Sequence, residues 1–329
     1  MNWTLRARGT AVSMAVGSVL ILNLFSCRNE AWRAREKETL VIFHAGSLTV
    51  PISDVAAAFQ AERPGVEILT EAAGSRECAR KISELGRACD VFASADYTVI
   101  NTLLVPDFAE WCIKFAGNEM VIAYTEGSRR SGEITVENWP DILLDESVAF
   151  GRSEPDSDPC GYRSVLTVRL AESYYGREGL ADALLAKDHR HIRPKETDLL
   201  ALLETHTIDY IFIYRSVAVQ HGLEFLPLPP EINLQDPALT EHYRSATVEI
   251  SGKNPGETVL KTGEPMVYGV TIPANAPNPD LALAFVSFLL DEGKGMAILE
   301  KHGQPSLVPS PTSTYAHVPE SLRRFARPE

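Results

Sequence analysis

From residue 39 onward the chain alternates between short apolar runs and longer stretches with apolar residues at helical spacing. Thr39 to Phe43 (TLVIF) is the first such run, and its unbroken apolar character predicts a strand covered on both faces. A helix opening at Pro51 follows, with Ile52, Val55, Ala56 and Phe59 on one face. Val66 to Leu69 predicts a second strand. Arg76 to Leu85 predicts a helix, with Cys78, Ile82 and Leu85 on one stripe and Gly86 to stop it, and Val91 to Ser94 a third strand. Further strands are expected at 121–124, 148–150, 209–214, 248–250 and 267–272. Helices are expected at 162–175, after Thr197 with Leu199, Leu200 and Leu203 inward, at 215–221, and at 279–290. Residues 226–234 read as an extended loop, and the Pro- and Ser-rich chain beyond His302 as a tail wrapping the surface. Strand and helix alternating at this pitch argue for an α/β fold with a parallel sheet.

The first 26 residues break the pattern. Arg6 and Arg8 precede an apolar run from Ala11 to Phe25, which predicts an export signal over 1–26. Its end, Leu24-Phe25-Ser26-Cys27, resembles the lipobox of bacterial lipoproteins, so Cys27 is the candidate lipidation site and 27–37 a tether. No other apolar run is long enough to span a bilayer. The expected mature protein is soluble, extracytoplasmic and held to a membrane by lipid. Losing two arginines and no acids takes the formal charge from −13 to −15. So acidic a chain has no basic face for nucleic acid, and any anion site must be built locally. Roughly 300 mature residues suit two domains of ordinary size. Besides Cys27 there are Cys78, Cys89, Cys112 and Cys160; four cysteines allow three pairings, and Cys78 and Cys89 flank one predicted helix and could meet.

Three turns carry candidate chemistry. In VAFGRSEPDSDPCGYRS (Val148 to Ser164) a strand gives way to a polar loop and then a helix, with Asp158 at the N-cap and Pro159 at the first helical position. Such a helix start is either an ordinary cap or a ligand site. Gly46-Ser47 and Gly74-Ser75 each follow a strand and precede a helix. Glycine admits a ligand close to the backbone, and serine offers a hydroxyl beside its N–H. Together the two turns would make a neutral, donor-rich anion cradle. Ser47 and Ser75 are also conceivable nucleophiles of an exported hydrolase, but neither lies in a G-x-S-x-G elbow. An enzyme is therefore not expected.

The runs HAGSL (44–48), GSR (74–76) and DVFASAD (90–96) are similar to the start of an extracytoplasmic solute-binding protein. DPCGYRS (158–164), RPKETDL (193–199), DYIFIYRSVAVQH (209–221), LPPEINL (228–234) and YGVTIPANAPN (268–278) extend the resemblance to tungstate/molybdate-binding proteins of ABC importers, of the WtpA type. This resemblance covers about residues 39 to 316. It implies a two-lobed periplasmic-binding-protein-like fold of the second structural type, with the ligand in the inter-lobe cleft. One lobe is then 38–122 with 268–316, the other 123–267, the hinge crossings lie near Tyr124 and Val267, and 317–329 form a C-terminal tail.

The resemblance also implies a ligand set. Ser47 and Ser75 would donate to the oxoanion from one lobe. From the other, Asp158 and Glu196 would approach the tungsten or molybdenum centre itself, taking it from four- to six-coordination. Hard, highly charged cations take oxygen ligands, whereas sulfate and phosphate offer no comparably open centre. The N–H groups of Cys160 and Gly161 and the hydroxyl of Tyr214 are further donors. His44 is expected to be structural, and Glu154 and Asp156 to be solvated loop acids. Implied partners are the oxoanion and an ABC permease with its ATPase; the protein is expected to be a monomer with no cofactor of its own. A receptor for sulfate or for an iron complex is the alternative, which the carboxylate pair and the lack of a Tyr or His cluster disfavour.

Overall fold

The computed structural model describes residues 38–329 except 253 and 255. The expected signal segment, tether and Cys27 lie outside the described residues. Strand β1 (Glu38–Ala45) leads through a short turn into α1 (Thr49–Glu62), and β2 (Val66–Ala73) leads directly into α2 (Ser75–Ser83). Next come β3 (Val91–Ser94), α3 (Tyr97–Leu103) and β4 (Ile113–Gly117). These strands and one from late in the chain, β12 (Val267–Thr271), build a five-stranded sheet of order β2-β1-β3-β12-β4. α1 covers it with the predicted stripe, and Phe59 meets Phe285 and Phe288 edge-on at 5.4 Å each. Those rings belong to the late helix Pro279–Leu289, whose apolar face the helical spacing anticipates.

A second five-stranded sheet has the order β7-β6-β8-β5-β9, from β5 (Met120–Tyr124), β6 (Phe150–Ser153), β7 (Ile192–Arg193), β8 (Tyr210–Tyr214) and β9 (Glu224–Pro227). Its flanking helices include α4 (Trp139–Leu144), α5 (Pro159–Tyr175), α6 (Leu180–Asp188), α7 (Asp198–Glu204) and α8 (Arg215–Gln220). Each sheet with its helices forms one lobe. A hairpin of β10 (Thr247–Ser251) and β11 (Thr258–Thr262) precedes the return to the first sheet.

The sheets are mixed rather than parallel. β2, β1 and β3 run parallel, but β12 is antiparallel to both β3 and β4, and β5 is antiparallel to β8. β12 re-enters from the other lobe and so runs against the strands laid down first. The outward crossing falls at Asn118 and Glu119, before the predicted Tyr124, because residues 120–124 pair with β8 and β9. The return lies between β11 and β12. The expected loop at 226–234 is partly strand, since β9 pairs with β5, and partly a helical turn over Pro230–Asn233. At the C-terminus β13 (Ser310–Thr312) pairs with β14 (Ala326–Pro328), and buried Leu322 and Phe325 anchor the segment between them. All four described cysteines are free and buried.

Candidate functional site

The register of the first sheet sets the two Gly-Ser turns side by side. β1 and β2 pair in parallel with Ala45 opposite Ala73, so Gly46-Ser47 and Gly74-Ser75 leave the same sheet end together. Facing them is the start of α5, where Asp158 is the N-cap and Pro159 the first helical residue, as the sequence predicts. Such a cap stabilises a helix by about 1 kcal/mol.

Gly74 permits an approach that any side chain would block, and Gly46 one that a side chain would crowd. A Cβ on Gly74 would lie 2.3 Å from the Ser157 carbonyl oxygen and 3.2 Å from Asp158 Cβ. On Gly46 it would lie 3.1 Å from each carboxyl oxygen of Glu196 and 3.0 Å from Thr197 Oγ1. Each turn of the first lobe therefore meets one acid of the second. The Ser157 carbonyl also accepts from the N–H groups of Arg76, at 3.1 Å, and Glu77, at 3.3 Å, so the lobes are closed onto one another.

Ser47 and Ser75 are fully buried and already accept one hydrogen bond each. Tyr268 O–H donates to Ser47 Oγ at 3.1 Å, and the Ala95 N–H to Ser75 Oγ at 2.9 Å. A serine hydroxyl has one proton to give, so both keep theirs free for an acceptor in the cleft. Tyr268 is held by Asn118, whose amide donates to its hydroxyl at 2.8 Å and to Ser216 Oγ at 2.7 Å. Asn118 sits at the outward crossing and Tyr268 just past the return, so the hinge and Ser47 share one hydrogen-bond chain. The Tyr214 hydroxyl accepts from Arg163 Nη1 at 3.0 Å, which leaves its proton free as well.

Asp158 and Glu196 are buried beside each other. Asp158 Oδ1 accepts from the Cys160 N–H at 3.3 Å, and its Oδ2 from the Glu196 N–H at 3.0 Å. The Gly161 N–H donates to the Asp158 carbonyl at 3.0 Å. Both expected backbone donors thus have partners within the turn. Neither carboxyl oxygen of Glu196 has a well-formed hydrogen bond to a donor; its polar surroundings are the Asp158 carboxyl, which can share a proton with it, and the backbone N–H groups of Ser47 and Glu196. Burial first, and then the neighbouring Asp158 carboxylate, push the Glu196 carboxyl well above the ordinary range. Asp158 is raised as well, chiefly by burial. Two buried carboxyls this close retain a proton unless a cation compensates them.

His44 is neutral and structural in character: burial lowers it to about 4, and its Nδ1 lies 2.8 Å from the Ala45 carbonyl oxygen. Asp156 is not the solvated acid expected. Its Oδ1 accepts from the Ser251 N–H at 2.6 Å and its carbonyl from Arg76 Nε at 3.1 Å, because the hairpin folds back over this loop. Among the described residues no three His, Cys, Asp or Glu side chains form a cluster suited to a metal ion. Sequence reasoning passed over Tyr268, Asn118 and Asp96. Tyr268 and Asp96 lie within the motif runs, but nothing local marks their partners.

A family model described as bacterial extracellular solute-binding protein matches residues 40–304. An uncharacterized solute-binding protein of Petrotoga mobilis is 48% identical over 289 residues, spanning 88% of this chain and 90% of that one. The molybdate/tungstate-binding protein WtpA of Pyrococcus abyssi is 41% identical over 311 residues, spanning 86% of this chain and 88% of that one. Among solved structures, the periplasmic molybdate-binding protein of Azotobacter vinelandii superposes with a TM-score of 0.56 at 16% identity, over 80% of this chain and 98% of that one. The last is a likeness of fold.

Proposed function

The chain belongs to the bacterial extracellular solute-binding protein family, and from that premise we propose that it captures tungstate or molybdate between its lobes for delivery to an ABC permease. The observation that carries the reading is Glu196. A fully buried carboxyl with no well-formed hydrogen bond to either oxygen, beside a second buried carboxyl, is costly in a structural role. Such a pair repels an anion whose central atom is closed. It suits an oxoanion with an open, highly charged metal centre, to which both acids become ligands.

In this account the hydroxyls of Ser47 and Ser75 donate to oxo groups from the first lobe, and that of Tyr214 from the second. Asp158 and Glu196 bind the metal centre, and Cys160 holds Asp158 through its N–H. Selectivity against sulfate then comes from the carboxylates and affinity from closure. The family's extracellular setting and the lipobox-like Cys27 support a lipid-anchored receptor, working as a monomer with no cofactor beyond its cargo.

Calorimetric titration of the protein lacking residues 1–37 tests the proposal. Tungstate and molybdate are expected to bind tightly and sulfate weakly. Glu196→Gln keeps the volume of the side chain but gives a weaker ligand, and should weaken tungstate binding at least tenfold. Tight sulfate binding without tungstate binding would overturn the assignment.

A further inference from the structure

Next to the Ser75 turn, a second set of buried groups joins the lobes. Asp96 caps α3 on the first lobe and is almost wholly inaccessible. Its Oδ1 accepts from the N–H and the hydroxyl of Thr98, each at 2.8 Å. Its Oδ2 receives the hydroxyl of Tyr162 and lies 3.0 Å from Lys261 Nζ and 3.7 Å from Arg163 Nη2. Tyr162 and Arg163 stand on α5, and Lys261 on β11. Lys261 also donates to Thr98 Oγ1 at 2.7 Å and to Glu264 at 2.6 Å. The charge compensating this first-lobe carboxylate therefore comes from elements laid down between the two hinge crossings.

The cluster is wired to the ligand turns at both ends. Tyr162 and Arg163 follow Asp158 by four and five residues, in the opening turns of the same helix. Arg163 Nη1 donates to the Ala95 carbonyl at 2.7 Å, and the Ala95 N–H donates to Ser75. Opening the cleft by moving α5 would withdraw Asp158 from Gly74 and strip Asp96 of Tyr162 and Arg163 in one motion. A buried charge that loses its partners is strongly disfavoured. Resting on the oxoanion reading above, we infer that Asp96 with Lys261, Arg163 and Tyr162 is a closure latch that sets how fast the bound oxoanion escapes. Asp96 and Lys261 are positioning residues, acting through the lobes rather than on the ligand.

Lys261 is the part to test, since it lies at the edge of the cluster on a two-stranded hairpin, and Asp96 keeps its Thr98 cap without it. In Lys261→Met the rate of tungstate release, followed by stopped-flow chase with excess molybdate, should rise about tenfold, equivalent to about 1.4 kcal/mol. Lys261→Arg should return the rate toward that of the unmodified protein. Thermal melting of each ligand-free variant establishes that it is folded. The preference for tungstate over sulfate should not change, because Asp158 and Glu196 are untouched. Release from Lys261→Met at the unmodified rate would overturn the latch while leaving the oxoanion reading standing, and so would a Lys261→Arg variant as fast as Lys261→Met. Failure of the unmodified protein to bind tungstate would overturn the oxoanion reading, and the latch with it.

Discussion

Glu196 has a carboxyl that solvent does not reach and that no well-formed hydrogen bond from a side-chain donor relieves. Burial, and then Asp158, raise its folded-state pKa above the ordinary 4.5. A group raised in this way holds its proton more tightly when folded. Its contribution favours the folded state below about pH 4.5 and is lost as pH climbs through the folded value. The ligand-free protein should therefore lose melting temperature as pH rises above about 4.5, and Glu196→Gln should flatten that slope by removing the titrating group. Melting curves across this range check the sign. Coordinating a metal centre requires the same proton to leave, so tungstate binding should release protons. Calorimetry in buffers of different ionisation enthalpy measures that release, and a proton count of zero would contradict coordination by Glu196.

The two Gly-Ser turns act as a unit because β1 and β2 are neighbours in register, and their glycines let the second lobe descend onto them. Gly74 has φ −58 and ψ 139, which any residue adopts, so an added methyl should not strain either lobe. Its cost falls on closure, where the new Cβ would meet the Ser157 carbonyl at 2.3 Å. Gly74→Ala should melt like the unmodified protein yet lose at least tenfold in tungstate affinity and fail to compact on adding tungstate, as read by small-angle scattering. Much at this scale is legible in the sequence: the apolar run of β1, the stripe of α1, and the Asp158-Pro159 helix start all follow local rules. The direction of β12 is not legible, because it depends on which lobe the chain returns from. Nor are the partners of Asp96, which lie 66, 67 and 165 residues away at Tyr162, Arg163 and Lys261. The surroundings of Asp156 are not legible for the same reason, since its loop is covered by a hairpin nearly a hundred residues further on.

Across the whole molecule, two lobes joined by two crossings enclose a neutral set of hydroxyls on one side and a pair of protonatable acids on the other. The chain carries a formal charge of −13, so long-range attraction would not recruit a dianion, and in the proposed function recognition is local. Asn118 and Tyr268 place the hinge in contact with Ser47, and the Asp96 cluster joins the lobes beside Ser75. In the proposed site the acids bind the metal centre of the cargo rather than merely lining its cavity. X-ray absorption at the tungsten edge of the tungstate-loaded protein tests this most directly. A six-coordinate centre is expected, with two carboxylate oxygens added to the four oxo groups and fewer ligands in Glu196→Gln. A four-coordinate spectrum indistinguishable from that of free tungstate would contradict it.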